Sequence, residues 1–291
     1  MILTADGLRI YAEEVGHGPT SVLVPQRIYL REYFEPVTVG QIAVFYDPRN
    51  RGLSETVHDA ERLSRGILHD MEDLEAVRLH YGLKQTAILT HSYFGIAALL
   101  HACANPERVT RMVLIGPPPP DPSRIYPPEL RSSDGTLEKF NDDFAALRVR
   151  TSSLAAADRC PAIWELLRRL YVADPHMSGA LHWEPCNIAN EAGFMPHFMK
   201  YVLPSLAANR LSEEALSRIS MPILIVHGRK DRSAPYGGAL DWARQLPNAR
   251  LLTIDEAAHV PWIEAPQVVY GAIRTFLAGG WPSGAESLRQ H

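Results

Sequence analysis

A serine, an aspartate and a histidine each follow a short apolar segment of the sequence. Ser92 comes after residues 87–89, and Asp231 and His259 come after two later segments of the same kind. A serine hydroxyl is a poor nucleophile at neutral pH, so it needs a neighbouring base that an acid holds in the right orientation. We therefore expect Ser92 to act as a nucleophile, His259 as its base and Asp231 as the acid that orients the histidine.

The backbone around Ser92 supports this interpretation. Ser92 separates an apolar strand from a helix of small residues at 95–104, which places it on a sharp turn and puts the N–H of Tyr93 at the start of the helix. Such an N–H can stabilise the negative oxygen that forms when a nucleophile adds to a carbonyl group. The alternative is that Ser92 and Asp231 only cap helices, a position that both residue types favour.

Short apolar segments alternate with helical patterns along most of the chain, which predicts an α/β fold with a mostly parallel sheet flanked by helices. The segments lie at 21–24, 42–46, 87–89, 112–115, 223–226 and 251–254, after a half-buried strand at 8–14. Helices are predicted over 56–81 and 266–277. Because the carboxyl ends of parallel strands share one edge of a sheet, Ser92, Asp231 and His259 should meet there.

The chain between 119 and 218 has helical patterns and no convincing strand, and it follows a proline-rich stretch at 116–122. Because this block lies between two strands of the sheet, we expect it to form a helical cap over the edge that carries the serine. The predicted core consists of residues 1–118 and 219–278. The Gly- and Ser-containing residues 279–291 are expected to be a flexible tail.

Five motifs resemble those of the α/β-hydrolase family, and most closely the branch that contains proline iminopeptidases and related esterases. They are YDPRNRGLS at 46–54, the helix at 73–83, NPERV at 105–109, IVHGRKD at 225–231, and His259 with Glu264-Ala265-Pro266. The chain order serine, aspartate, histidine is also that of α/β-hydrolases. The resemblance implies a triad of Ser92, Asp231 and His259, with the N–H groups of Tyr93 and Arg27 as the oxyanion hole. Such a mechanism needs no metal and no organic cofactor.

The sequence departs from the family pattern at three places. Phe94 stands where the family has a small residue, and Pro25-Gln26-Arg27 replaces a His-Gly loop, so that Gln26 occupies the place of a glycine. The Gly-Gly-Pro-Gly loop of the iminopeptidases is missing. Because losing one oxyanion donor costs on the order of 10²–10³ in rate, an altered loop would weaken hydrolysis. We expect the substrate pocket to be lined by Gln26, Phe94, Trp183, Phe198 and Val260.

The predicted cap carries an aromatic stripe and two acids of interest. Phe194, Phe198 and Tyr201 have helical spacing, so they should form one stripe that lies mostly inside the cap, with one or two members facing substrate. In iminopeptidases, cap acids receive the amino group of the substrate. Because the matching loop is missing here, we expect Glu184 and Glu191 to be solvated surface acids.

Other polar residues near the predicted site are assigned structural roles. His91 and His227 adjoin strand ends, where we expect them to pack or to support the site. Asp47, Arg49 and Arg51 belong to one turn, which we expect them to hold together by ion pairs and capping; contact with substrate is the less favoured alternative.

Composition limits the classes of protein to which the chain can belong. The 291 residues are 46% apolar and 21% charged, with a net charge of −4, which is ordinary for a globular domain and unlike a basic nucleic-acid-binding protein. No apolar run approaches the ~20 residues that span a bilayer, and no signal peptide is recognised. Cys103, Cys160 and Cys186 form neither a CxxC pair nor a zinc motif, so we expect no disulfide framework, no structural metal and a reducing, cytoplasmic location.

These observations predict a serine hydrolase that acts on a small-molecule ester, lactone or amide through an acyl-enzyme. Three alternatives remain open: a prolyl-type aminopeptidase, a C–C hydrolase, cyclase or lyase that reuses the triad, and a non-catalytic ligand receptor on the same scaffold. The expected partner is a small-molecule substrate. No nucleic-acid or membrane partner is expected, and the protein should be a monomer or a homodimer.

Overall fold

A computed structural model describes residues 1–289 of the chain and contains one eight-stranded sheet. The strands are β1 (Ile2–Leu3), β2 (Arg9–Val15), β3 (Ser21–Pro25), β4 (Ile42–Asp47), β5 (Thr86–His91), β6 (Val109–Ile115), β7 (Ile223–Gly228) and β8 (Ala249–Ile254). Their order across the sheet is β1-β2-β4-β3-β5-β6-β7-β8. The first two strands are antiparallel to their neighbours and the other six are parallel. The predicted α/β fold is therefore confirmed, and the short strand β1 is an addition to it.

Helices cover both faces of the sheet, so its central strands are mostly apolar and almost entirely buried. The helices of the core are α1 (Arg27–Phe34), α2 (Ile67–His80), α3 (Phe94–Ala104), α10 (Tyr236–Gln245), α11 (Pro261–Glu264) and α12 (Pro266–Leu277). Helices α2, α3 and α10 pack on one face, and α1, α11 and α12 pack on the other. Every residue of β3, β5 and β7 is buried, as expected for strands covered on both sides.

Helix α2 is shorter than the helix predicted over 56–81. It begins only at Ile67, because Gly66 adopts a φ of 52° and lies where a Cβ atom would come within 2.2 Å of the Ser205 hydroxyl. The same hydroxyl accepts a hydrogen bond of 2.8 Å from the Ile67 N–H. A residue from a distant part of the chain therefore sets where this helix starts, which local periodicity does not reveal.

Helices and turns, without a strand in the described residues, fill the chain between β6 and β7. The helices are α4 (Thr136–Arg150), α5 (Ala156–Tyr171), α6 (Ala189–Ala192), α7 (Phe194–His197), α8 (Leu203–Ala208) and α9 (Glu213–Ser217). A π-helical turn (Phe198–Val202) joins α7 to α8. No helix within residues 1–289 has the length and apolar character needed to cross a bilayer.

Cys160 and Cys186 form a disulfide, contrary to the expectation that the cysteines provide no disulfide framework. The bond joins helix α5 to a short turn before α6, across a Cα–Cα distance of 5.5 Å. Cys103 is the free cysteine. An odd cysteine count with irregular spacing does not reveal which cysteines meet in space. Because the chain contains a disulfide, its cysteines no longer indicate a reducing compartment. The cytoplasmic location remains a prediction.

The segment after helix α12 is attached to the sheet, which corrects the expectation of a flexible tail over 279–289. The Leu251 N–H donates to the Glu286 carbonyl, and the Glu286 N–H donates to the Leu251 carbonyl, both at 2.9 Å. Trp281 packs against Phe276, with ring centroids 5.1 Å apart. These contacts hold the segment against the sheet, although its Gly and Ser content is typical of a flexible tail. The last two residues of the predicted tail, 290 and 291, lie outside the described residues.

The disulfide should add measurably to stability. Reduction, or the substitution Cys186→Ser, is expected to lower the free energy of unfolding by about 2–4 kcal/mol, because the crosslink restricts the unfolded chain between two cysteines 26 residues apart. Denaturant unfolding with and without dithiothreitol measures the change. Cys103→Ser is the control, because its thiol is free; equal stability of reduced and oxidised protein would contradict a structural role of the bond.

Candidate active site

Ser92 lies on a tight turn between strand β5 and helix α3. Its φ of 58° is in the left-handed region, which non-glycine residues rarely adopt. The Ser92 N–H donates to the Ile115 carbonyl at 2.8 Å, and the Gly95 N–H donates to the Ser92 carbonyl at 3.0 Å. Ser92 is only partly buried and lines a cavity at the carboxyl edge of the sheet. Two hydrogen bonds thus hold Ser92 in a conformation that exposes it to this cavity.

Asp231 and His259 form a buried hydrogen-bonded pair at the same sheet edge. His259 Nδ1 donates to Asp231 Oδ2 at 2.8 Å. Asp231 Oδ1 accepts from the N–H groups of Ser233 and Ala234, each at 2.8 Å. Burial opposes the charge of Asp231, but His259 and the Ala234 N–H hold the pKa of this carboxyl below its usual range. The ionised carboxylate orients the imidazole with a proton on Nδ1.

Neighbours of Ser92 bring its backbone close to His259. The ring centroids of His91 and His259 are 4.5 Å apart, and His91 Nε2 donates to the His259 carbonyl at 3.0 Å. Gly116 follows strand β6 with a φ of 56°, and a Cβ atom there would lie 3.1 Å from His259 Nδ1. Within the described residues no hydrogen bond joins the Ser92 hydroxyl to the His259 ring. The serine–histidine link of the triad therefore remains a prediction.

The N–H groups of Tyr93 and Arg27 lie at the starts of two helices. Tyr93 immediately precedes α3 and Arg27 is the first residue of α1, so neither N–H has an acceptor within its helix. The Arg27 side chain pairs with Glu13 at 2.5 Å, outside the cavity. N–H groups at helix starts are suited to stabilise a negatively charged oxygen. The oxyanion role of this pair also remains a prediction.

A cavity of about 120 Å³ adjoins Ser92, and both core and cap residues form its wall. Most of that wall is apolar. Its aromatic part consists of Tyr29, Trp164, Tyr171, Trp183, Phe194 and Phe198. An engineered apolar cavity of about 150 Å³ binds benzene. The cavity therefore suits a short acyl chain or a single ring.

Three of the five predicted pocket residues line this cavity and two do not. Gln26, Trp183 and Phe198 form part of the wall. Phe94 is fully buried and packs against the Tyr93 ring, with centroids 4.7 Å apart. Val260 is fully buried on the opposite face of the sheet. The prediction that Phe94 and Val260 line the pocket is wrong, because both side chains lie in the cores on either side of the sheet.

Glu191 is buried in the cavity wall, which corrects the expectation that it is a solvated surface acid. Arg51 Nε donates to Glu191 Oε1 at 3.0 Å, the Gly52 N–H donates to the same oxygen at 2.7 Å, and the Tyr29 hydroxyl donates to Oε2 at 2.5 Å. Burial and the charge of Glu191 raise the pKa of Tyr29 well above its ordinary value. The phenol therefore keeps the proton that it donates. Glu184, by contrast, is exposed as expected.

Arg51 connects this acid to the residue after the candidate nucleophile. Its Nη1 donates to the Tyr93 hydroxyl at 2.8 Å, and its guanidinium lies 3.5 Å from the centroid of the Phe194 ring. The sequence favoured a role for Arg51 in its own turn over contact with substrate, whereas the structure places Arg51 in the cavity wall. The partners Arg51 and Glu191 are 140 residues apart, and no spacing rule links a core turn to one acid of the cap.

A second buried acid, Asp70 on helix α2, interacts electrostatically with Arg51 and Tyr93. Burial, followed by the neighbouring Asp73 carboxylate, raises the pKa of Asp70 to about 8, and the charges of Arg51 and Arg49 only partly oppose this. Its Oδ2 is buried without a hydrogen-bond partner. Although two acids are neighbours here, no group of three or more His, Cys, Asp or Glu side chains within residues 1–289 is arranged to hold a metal ion.

Comparison with known proteins agrees with this architecture. The sequence pattern of the alpha/beta hydrolase fold matches residues 43–266. The chain therefore belongs to the α/β-hydrolase fold family, and it is an enzyme of the hydrolase class.

Relatives and solved structures extend the comparison beyond the shared pattern. The chain is 28% identical over 228 residues to the 2-hydroxymuconate semialdehyde hydrolase of Pseudomonas putida, covering 78% of this chain and 73% of that one. It is also 28% identical over 174 residues to the pimeloyl-[acyl-carrier protein] methyl ester esterase of Nitrosomonas europaea, covering 60% and 64%. An esterase structure from Exiguobacterium antarcticum superposes with a TM-score of 0.72 over 96% of this chain and 98% of that one, at 19% identity. That last likeness concerns the fold alone.

The raised pKa of Asp70 should make stability depend on pH. In the folded protein the carboxyl keeps its proton up to about pH 8, whereas in the unfolded chain it loses it near pH 4. The folded state therefore binds more protons between these values, so this group's contribution to the free energy of unfolding falls as pH rises from about 4 to about 8. Asp70→Asn is expected to be more stable than the parent by about 1–3 kcal/mol at pH 8, with a smaller gain at pH 5.

Urea unfolding at several pH values measures this difference. Asp59→Asn replaces an exposed carboxyl and serves as the control. A gap between Asp70→Asn and the parent that stays constant from pH 5 to pH 8 would show that the carboxyl titrates normally.

Proposed function

We propose that the chain is a serine hydrolase that cleaves esters, lactones or amides with small, uncharged acyl groups. The observation that carries this proposal is the 2.8 Å hydrogen bond between buried Asp231 and His259, next to a serine in a left-handed turn at the wall of a small cavity. A buried, oriented imidazole can activate a serine hydroxyl that it reaches, and a serine on such a turn at a cavity wall is accessible to substrate.

The proposed reaction proceeds through an acyl-enzyme. His259 takes the proton of the Ser92 hydroxyl as the serine oxygen bonds to the substrate carbonyl carbon, and the carbonyl electrons move onto its oxygen. The N–H groups of Tyr93 and Arg27 stabilise this oxyanion. When it collapses, the bond to the alcohol or amine breaks, and the leaving group takes the proton from His259. Water then repeats the sequence and releases the acid.

The cavity wall supports the choice of a small and uncharged acyl group. Its volume of about 120 Å³ is well below the several hundred Å³ of typical drug-sized pockets. Arg51 and Glu191 supply opposite charges to the wall and pair with each other. An anionic substrate would have to displace Glu191 from Arg51, and a cationic one would have to displace Arg51 from Glu191. A neutral acyl group is therefore favoured.

Two of the open alternatives are affected differently by these contacts. A prolyl-type aminopeptidase needs an acid free to receive a protonated amine, and Glu191 already accepts hydrogen bonds from Arg51, Tyr29 and Gly52. A C–C hydrolase is the second candidate, and it is favoured by the similarity to a 2-hydroxymuconate semialdehyde hydrolase. It would use the same three side chains on a different bond.

The Ser92 hydroxyl should react with an active-site-directed probe. A fluorophosphonate is expected to label Ser92 stoichiometrically at neutral pH, because His259 removes the serine proton as the oxygen bonds to phosphorus and the P–F bond breaks to release fluoride. Peptide mass spectrometry locates the label. Ser92→Ala should abolish labelling and lower kcat/KM for short-chain 4-nitrophenyl esters by roughly 10³-fold or more.

The matched control is Ser152→Ala, which removes an exposed hydroxyl in the cap region. It should be labelled and active like the parent. Folded parent protein that stays unlabelled, or a Ser92→Ala variant that keeps full esterase activity, would overturn the proposal.

The ion pair in the cavity wall should exclude a charged amine. Methyl isobutyrate carries a methyl group at the position where alanine methyl ester carries an ammonium group. The parent should hydrolyse the isobutyrate with the higher kcat/KM. Arg51→Met removes the guanidinium and leaves the Glu191 carboxylate to attract a cation, so the ratio of kcat/KM for the alanine ester to that for the isobutyrate should rise about tenfold. Methanol release measures both rates.

The double variant Arg51→Met with Glu191→Gln is the control, because it removes both charges. It should not show the rise. An unchanged ratio in Arg51→Met would contradict the idea that Arg51 neutralises this wall.

A further inference from the structure

Gln26 occupies an unusual position between strand β3 and helix α1. Its φ of 61° and ψ of 47° place it in the left-handed region, which is unfavourable for a residue with a side chain. Glycine would adopt this conformation without that cost. The Gln26 side chain does not cap helix α1, although its backbone is at the cap position. Neither local backbone geometry nor helix capping therefore accounts for a glutamine here.

Gln26 is one of the residues that line the cavity, together with Ser92 and Tyr93. The residue is only 6% exposed, and its Oε1 atom is buried without a hydrogen-bond partner. A buried amide oxygen without a donor is unfavourable, because it has lost its contacts with water and gained none in return. A hydroxyl group of a molecule in the cavity would supply the missing donor if the Gln26 side chain turned its oxygen toward it.

We propose that Gln26 is a specificity-determining residue whose carboxamide oxygen accepts a hydrogen bond from a hydroxyl group next to the scissile carbonyl of the substrate. The preferred substrates are then esters of small 2-hydroxy acids. This inference rests on the proposed function, since it assumes that the carbonyl group binds at Ser92. It adds the chemical class of the acyl group.

The position of Gln26 in the chain supports contact close to the reacting carbonyl. Gln26 directly precedes Arg27, whose N–H is proposed to stabilise the oxyanion, and it shares a wall with Tyr93, which supplies the other N–H. A residue next to one of these N–H groups is closer to the acyl part of a bound substrate than to a distant leaving group. A hydroxyl also fits the small volume and the neutral wall, because it adds a donor without adding charge.

The test compares methyl lactate with methyl isobutyrate. The two esters have nearly the same shape, but methyl lactate carries a hydroxyl group where methyl isobutyrate carries a methyl group. The parent should prefer the lactate. In Gln26→Met, which keeps the length of the side chain and removes the amide, the ratio of kcat/KM for lactate to that for isobutyrate should fall about fivefold to tenfold, the size expected for one buried hydrogen bond. Gln26→Gly should lose the same selectivity while its Tm rises, because glycine relieves the left-handed strain.

The matched control is Gln41→Met. Gln41 also has a buried Oε1 without a partner, but it lies at another place, where its Nε2 donates to the Leu277 carbonyl at 3.3 Å. This variant should keep the parent's ratio. A parent that prefers methyl isobutyrate, or a ratio that Gln26→Met leaves unchanged, would overturn the assignment of Gln26.

A binding measurement separates this proposal from the proposed reaction. Saturation-transfer NMR on Ser92→Ala, with and without Gln26→Met, reports the binding of the two intact esters without turnover. Lactate binding that weakens selectively with Gln26→Met supports the contact even if the parent hydrolyses neither ester. Equal binding of both esters contradicts the contact even if Ser92 is labelled and active.

Discussion

The turn at the carboxyl end of strand β5 is the constraint on which the rest of the site depends. Ser92 can face the cavity only because its backbone is held in the left-handed region by bonds to Ile115 and Gly95. Among residues 1–289, two further non-glycine residues have a positive φ: Gln26, directly after β3, and Asn50, three residues after β4. Strand β3 lies between β4 and β5 in the sheet. Strained backbone is thus confined to three adjacent strand ends, where the packed sheet can support it.

The second organising interaction is the ion pair between Arg51 and Glu191. Removing two charges from water is costly, so such a pair persists where several further hydrogen bonds satisfy it. Here the Tyr29 hydroxyl and the Gly52 N–H donate hydrogen bonds to the Glu191 carboxylate. The Tyr93 hydroxyl accepts a hydrogen bond from the Arg51 guanidinium. Because one partner belongs to the core and the other to the helical insertion, the pair fixes the two parts of the wall relative to each other and cancels its charge.

Local sequence patterns predict the sheet of this protein but not the packing of the helices between β6 and β7. The strands, their parallel arrangement and the meeting of Asp231 with His259 follow from apolar segments and from the rule that parallel strands end at one edge. The roles of Glu191 and of the Cys160–Cys186 pair depend on contacts within or across the insertion, whose packing no periodicity specifies. The inward turn of Phe94 was missed for a similar reason, since a large residue after the serine could be placed only once its neighbours were known.

The antiparallel bridge between Leu251 and Glu286 has a consequence for how copies of the chain can meet. An uncovered border strand offers unpaired backbone groups that another polypeptide can extend, and many proteins restrict that kind of growth. At β8 the chain's own carboxyl-terminal stretch already uses the outward N–H and C=O of Leu251, and at the opposite border β1 is only two residues long. Extension of the sheet by another copy is therefore less favourable at the bridged part of β8 and along the short strand β1.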